Sequence, residues 1–233
     1  MTSQQPDAVG YHTNIAREFD AKYQTRPAFR ERFELWTKLM QQHLPRGAKV
    51  LDVGCGTGVF SHYLGERGHC VVGVDGSQKM LAVARERLGP KTAGRVTFVQ
   101  GRVPFDDHPG PFGAIVCSSV LEYVGELGTA LEGFRQRLQP GGILMVSFPN
   151  GLSLYRAGER LVHRLTGRPA YLRHVKSPPQ SPRRFARGLA KASFDVLETH
   201  FYARPAPLFD PLHVGPIKPL VNNLFVMVCS RRA

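Results

Sequence analysis

The stretch Val50–Gly58, VLDVGCGTG, limits what this chain can fold into more than any other. Val50, Leu51 and Val53 form a short apolar run of the kind that makes a parallel strand covered on both faces. Gly54, Gly56 and Gly58 follow at once, and without Cβ atoms they let the backbone turn sharply and come close to a ligand. A helix opening near Val59 then offers unpaired N–H groups and the positive end of its dipole. A glycine-rich turn alone is a weak signal, since many are only loops. Here a second apolar run, Cys70–Val74, ends at Asp75, 21 residues after Gly54. An acid there suits the two hydroxyls of a ribose bound at the carboxyl ends of the strands. The nicotinamide pattern G-x-G-x-x-G/A requires a small residue at position 59. Val59 stands there instead, which disfavours an oxidoreductase of that type. The chain's own pattern is G-x-G-x-G, with Asp52 two residues before the first glycine.

VLDVGCGTG, VVGVDGS (71–77), FGAIVCSSVLEYV (112–124) and LQPGGILMVSFPN (138–150) together resemble the class I S-adenosylmethionine-dependent methyltransferases. The resemblance covers residues 45–150 well and the rest loosely. Within that superfamily it is nearest to small-molecule methyltransferases, including those of quinone and natural-product biosynthesis. It implies an α/β, Rossmann-like doubly wound fold: a seven-stranded, mostly parallel sheet with helices on both faces. It also implies S-adenosylmethionine as cofactor and S-adenosylhomocysteine as product. The implied cofactor contacts are Asp52, Gly54, Cys55, Gly56 and Gly58 at the first turn, and Asp75, Gly76, Ser77 and Met80 after the second strand. Gln100, Gly101 and Arg102 follow the third strand and Ser118 ends the fourth; Tyr11 and Tyr23 would reach in from the N-terminal segment. Ser119, Glu122, Tyr123 and Tyr155 fall on the acceptor side. Two departures stand out. Gly101-Arg102-Val103 replaces the acidic and small pair that the family often sets beside the adenine. Tyr123 stands where related quinone enzymes commonly carry a histidine after the glutamate, so any role of that histidine is absent.

A chain of 233 residues, 42% hydrophobic and 21% charged, suits one soluble α/β domain with additions. Its N-terminus lacks the basic start and apolar core of a signal peptide, and no run reaches the length of a membrane span. These features point to a cytoplasmic protein, with peripheral membrane contact as an open option. The four cysteines have no metal-ligand spacing; Cys70, Cys117 and Cys229 read as reduced core thiols. Asp106, Asp107 and His108 read as a solvated loop rather than a metal site.

The net charge of +13 is concentrated. Residues 151–191 hold ten Lys/Arg and a single acid, Glu159, while the rest of the chain carries 21 basic against 17 acidic residues. An anionic partner near that segment is the reading that follows. The chain divides into an N-terminal helical cap (1–44), a cofactor-binding core (45–150), a basic lid insert over the acceptor side of the pocket (151–182) and the last helix and two strands of the same core (183–233). Helices are expected over Tyr11–Tyr23 and Pro27–His43. In the second, Phe29, Phe33, Trp36, Leu39 and Met40 recur at helical spacing and read as core. The insert should form a basic amphipathic helix able to lie on anionic lipid. Its His163 and His174 are the candidates for a general base, set against the more usual reading of surface histidines. The loop Ala203–Asn222, with Phe209, is placed near the acceptor.

Methyl transfer from a sulfonium is an in-line displacement that needs positioning more than covalent help. Small-molecule methylation, favouring an oxygen of a lipophilic or anionic acceptor, is therefore the leading class. RNA or protein methylation is suggested by charge alone; neither an Asn-Pro-Pro-Tyr-type motif nor a Pro-Cys nucleophile motif is present, and the aromatics form no stacking platform among the basic residues. Nucleic acid is accordingly disfavoured as a partner. A non-catalytic cofactor-binding scaffold is the remaining alternative.

Overall fold

The structure, a computed structural model, describes residues 8–14, 16–103, 110–203 and 217–232. Seven strands form one sheet: β1 (Lys49–Val53), β2 (Cys70–Asp75), β3 (Val96–Gln100), β4 (Phe112–Cys117), β5 (Leu138–Pro149), β6 (Phe194–Tyr202) and β7 (Leu224–Arg231). Their order is β3-β2-β1-β4-β5-β7-β6; β1 to β5 are parallel, and β7 runs antiparallel to both its neighbours. The Rossmann-like sheet expected from the sequence is thus formed. Its strand order reverses beside β1, where β1 pairs with β2 on one side and β4 on the other.

The period of two along the strands separates two cores. Leu51, Ile115, Leu144 and Met227 point to one face, where Leu131 and Phe134 of α6 (Leu127–Arg137) and Phe185 and Leu189 of α8 (Pro182–Lys191) cover them. Val50, Val116, Met145 and Val228 point to the other. They meet Trp36 and Leu39 of α3 (Pro27–His43), Phe60 and Leu64 of α4 (Val59–Glu66), and Leu81 and Ala84 of α5 (Gln78–Glu86). The stripe on α3 is core, as its spacing predicts.

Two differences from the sequence reading are local. The first expected helix, Tyr11–Tyr23, reaches further on both sides: its described residues are α1 (Ala8–Asn14) and α2 (Ala16–Thr25). Strand β5 begins at Leu138 rather than Ile143, because Leu138 already pairs with Phe112 before the register shifts across Pro140-Gly141-Gly142. Cys117 and Cys229 are buried, but Cys70 is exposed: it opens β2 at the end of the strand, outside the core. The Asp106–His108 loop lies outside the described residues, as does Phe209 with residues 204–216.

The basic insert leaves the sheet after β5 and returns to the same point. Gly151 N donates to Gln180 O (2.8 Å) and Gln180 N to Pro149 O (3.1 Å), closing its base. Between them lie α7 (Leu154–Thr166) and a 3-10 turn, Ala170–His174. The Asn150 side-chain amide donates to Pro219 O and Asn222 O, tying this base to α9 (Lys218–Val221).

Candidate cofactor and acceptor cleft

One cleft of about 350 Å³ opens at the carboxyl ends of β1, β2 and β4. The β1 turn forms its floor. Gly54, Gly56 and Gly58 all have positive φ, which ordinary side chains rarely adopt. Their surroundings differ. A Cβ on Gly54 would collide with Val120, and one on Gly58 would come within 2.7 Å of Phe98; both positions are held by packing. At Gly56 the nearest neighbour is Phe19 at 3.8 Å, so this is the glycine that opens onto the cleft.

Asp75 ties the floor to the side wall. Its Oδ2 accepts from Gly56 N (3.0 Å) and its Oδ1 from Ser77 N (2.8 Å). Burial nonetheless pushes its pKa up, against these two bonds. Two N–H groups hold the carboxylate at the tip of β2, and each oxygen keeps a lone-pair direction for a ligand hydroxyl. Ser77 stands behind it as the N-cap of α5, accepting from Met80 N (3.2 Å) and from the Thr13 hydroxyl of α1 (2.7 Å).

Asp52 is 2% exposed, and burial lifts its pKa to about 6, although the Ser61 hydroxyl donates to it at 2.6 Å. Opposite, Ser119 at the end of β4 has φ 58, an uncommon conformation for a non-glycine residue; its N–H is held by Ser147 Oγ at 2.9 Å. The buried hydroxyls of Ser118, Ser119 and Thr57 have no partner among the described residues, and all three residues line the cleft. Partnerless buried hydroxyls, an open glycine amide turn and a fixed carboxylate suit a ligand with a ribose and a polar tail.

Of the residues singled out from the sequence, Asp52, Gly54, Cys55, Gly56, Asp75, Gly76, Met80, Gly101, Arg102, Ser118, Ser119, Tyr23 and Tyr123 line this cleft. Gly58 lies behind it, and Ser77 and Gln100 support its rim; Gln100 Nε2 donates to Gly76 O. The Tyr11 side chain lies outside the described residues. Glu122 is buried and does not line the cleft. Its backbone carbonyl accepts from Lys176 N and Ser177 N, and burial raises its carboxyl pKa. The two histidines and Tyr155 are placed differently from the expectation. His163 sits on the inner side of α7 and His174 at the end of the 3-10 turn, neither on the cleft wall, while Tyr155 points outward from α7. The reason is the closed base of the insert: of its residues, Lys176 is the one that lines the cleft.

Two residues the sequence reading passed over complete the site. Arg32, on α3, donates to Ser118 O at 3.1 Å and faces the Phe60 ring at 5.8 Å. Burial works against its charge, but Tyr23, Tyr202, Glu122 and Asp52 around it outweigh this, and its pKa is raised. Phe19 and Phe29 meet Tyr23 edge-on, so α2 and α3 set an aromatic wall beside the guanidinium.

Residues 51–144 match the family model described as a methyltransferase domain. Over 103 residues the chain is 33% identical to a protein of Schizosaccharomyces pombe named ubiquinone biosynthesis O-methyltransferase, mitochondrial, covering 43% of this chain and 38% of that one. The chain spans less than half the length of the curated relatives it matches. Among solved structures, magnesium protoporphyrin IX methyltransferase from Synechocystis PCC 6803, with bound S-adenosylhomocysteine, superposes with TM-score 0.64 at 16% identity, over 98% of this chain and 90% of that one. The cyclase SpnF superposes with TM-score 0.68 at 17% identity, over 98% of each chain.

Proposed function

We propose that this chain is a class I S-adenosylmethionine-dependent methyltransferase that methylates an oxygen of a small organic acceptor, a reading supported by its fold and by the domain model that residues 51–144 match. The observation that carries the reading is the bonding of Asp75 to the open Gly56 turn at the wall of one cleft. S-adenosylmethionine supplies a methyl group already attached to a good leaving group. Asp75 holds the ribose hydroxyls, and the Gly56 turn with Ser118 and Arg32 holds the polar tail of the cofactor. Met80, Gly101 and Arg102 flank the base.

The rest of the wall describes the acceptor. Phe19, Tyr23, Phe60, Val120 and Val124 give it an apolar, partly aromatic lining, and Lys176 adds a cation at the acceptor side. That combination favours an apolar, ring-bearing acceptor with an acidic hydroxyl, whose oxyanion a nearby cation stabilises. Such a hydroxyl gives its proton to solvent and, as the oxyanion, accepts the methyl group without a dedicated base, consistent with the absence of histidine from the described cleft wall. The protein's task is then orientation and exclusion of water, which supply up to roughly 7–11 kcal/mol in the ideal limit. The ubiquinone O-methyltransferase relatives support the choice of oxygen.

The test is label transfer from methyl-labelled S-adenosylmethionine in a host extract, counted in RNA, protein, lipid and small-molecule fractions. Label in an organic-soluble or small-molecule product removed by the Asp75→Ala variant is the expected result. Label in RNA or protein refutes the small-molecule reading. Cofactor binding without any transfer, once phenolic acceptors have been offered, assigns the chain to a non-methylating use of the fold.

A further inference from the structure

Helix α7 is inside out. At about 100° per residue, Ser153, Arg156, Glu159, Arg160 and His163 fall on one side, and this polar side faces the protein. Arg156 and Glu159 side chains are each 13% exposed. Tyr171 Oη donates to Glu159 Oε2 (2.7 Å) and lies 2.6 Å from Arg156 Nη1, while the Ser153 hydroxyl donates to Asn223 Oδ1 (2.8 Å). The opposite arc, about 120° wide at that spacing, holds Leu154, Tyr155, Gly158, Leu161, Val162 and Leu165. It faces solvent: Leu165 is 78% exposed, Leu154 68% and Leu161 59%, and α7 has no buried residue. Single exposed leucines are ordinary. A helix that satisfies its charges inward and turns a whole apolar arc outward has its second partner outside the described fold.

Charge identifies that partner. The exposed Arg164 lies on the flank of the helix between its polar side and Leu161, and Gly167 ends the helix with φ 71. Exposed Arg168 follows, and the Arg173 guanidinium lies over Gly167, 2.6 Å from where a Cβ would stand. An apolar arc with arginines on one flank and at its C-terminal end fits an interface that is greasy below and anionic above, and such a helix lies in the plane of a bilayer rather than across it. No described helix is long and apolar enough to span one.

We propose that the outward face of α7, with Arg164, Arg168 and Arg173, docks the protein onto an anionic lipid bilayer. This stands independently of methyl transfer. The same segment continues through the 3-10 turn to Lys176 on the cleft wall, so docking there sets the acceptor side of the cleft close to the lipid surface.

The experiment is co-sedimentation of the full chain with vesicles of phosphatidylcholine alone or with added phosphatidylglycerol. Wild type should bind the anionic vesicles, less at raised salt, and bind phosphatidylcholine alone weakly. L161E/L165E should lower partitioning at least about tenfold, and R164Q or R168Q about fivefold each. S-adenosylmethionine affinity, unchanged in all three, serves as the folding control. Wild type remaining in the supernatant with anionic vesicles, or L161E/L165E binding as wild type does, overturns the proposal. So does a wild-type dimer in sedimentation velocity that L161E/L165E converts to monomer without any vesicle binding by either protein, since the arc would then face a second copy of the chain.

Discussion

Replacing Asp75 tests the site most directly, and the structure makes the asparagine variant as informative as the alanine one. Both carboxylate oxygens already accept backbone N–H groups, from Gly56 and from Ser77. In Asp75→Asn the carbonyl oxygen can keep one of these bonds, and the NH2 group must then face the other donor. The substitution therefore costs a bond to a charged acceptor, about 1.5–3 kcal/mol, even before a ligand binds. Asp75→Ala loses both bonds but introduces no opposed donors. If Asp75 holds the ribose as proposed, each variant takes a charged acceptor from its hydroxyls, and S-adenosylmethionine binding should weaken by roughly 1–3 kcal/mol, about 5- to 150-fold in Kd. Isothermal titration gives the binding loss, and urea unfolding without ligand gives the stability loss separately. A Kd within twofold of wild type in both variants refutes the reasoning. If stability falls while Kd stays, Asp75 only braces the turn and the ribose lies elsewhere.

Two further perturbations separate binding from packing. Gly56→Ala strains the backbone by roughly 1–2 kcal/mol and puts a methyl into the cleft, so cofactor affinity should fall at least tenfold with a modest loss of stability. Gly58→Ala meets Phe98 and Ala84 instead, and about 2–4 kcal/mol of stability should be lost through overpacking and strain; similar unfolding curves for the two variants would contradict this division. Asp52 carries a pH signature. Burial raises its folded pKa from 3.8 to about 6, so the folded state holds the extra proton in between. Its cost is absent below about pH 4, grows as pH rises and is complete above about pH 6, reaching roughly 3 kcal/mol at most. Asp52→Asn should therefore gain on wild type between pH 4.5 and 7.5 in urea unfolding at those pH values, and a gap independent of pH would show that Asp52 does not titrate there.

The parts of the site written in local sequence were legible. A glycine needing positive φ, an apolar strand and an acid at its tip announce themselves within a few residues, and Gly56 and Asp75 meet as their spacing implies. Arg32 was missed although it left a signal: at helical spacing it falls within the apolar stripe of α3, between Leu39 and Trp36, where a charge marks a residue facing the interior. Its role appears once packing brings it to Ser118 O, 86 residues away in sequence. The histidines failed for a related reason. The insert was read as lying over the pocket, but nothing local records that its two ends pair at Gly151 and Gln180 and hold α7 to the side. Periodicity revealed the apolar arc of α7 without saying which way it points. Helical spacing gives the width of a face, and the direction depends on partners outside the helix, Tyr171 later in the insert and Asn223 70 residues from Ser153.

The antiparallel course of β7 has a practical side. Strands β1, β2 and β4 end at the cleft, and β5 ends at the base of the insert, whereas β7 starts level with Pro149 and finishes near Ile143 and Phe194. The backbone at Arg231 thus emerges on the opposite rim of the sheet. Val9, by contrast, packs against Gly76 within the cleft itself. A tether or fluorophore placed after Arg231 leaves the cleft on the rim away from the support, free to meet solute. The same attachment ahead of Val9 crowds the mouth of the cleft, so immobilised binding measurements made from the two ends should disagree in a known direction.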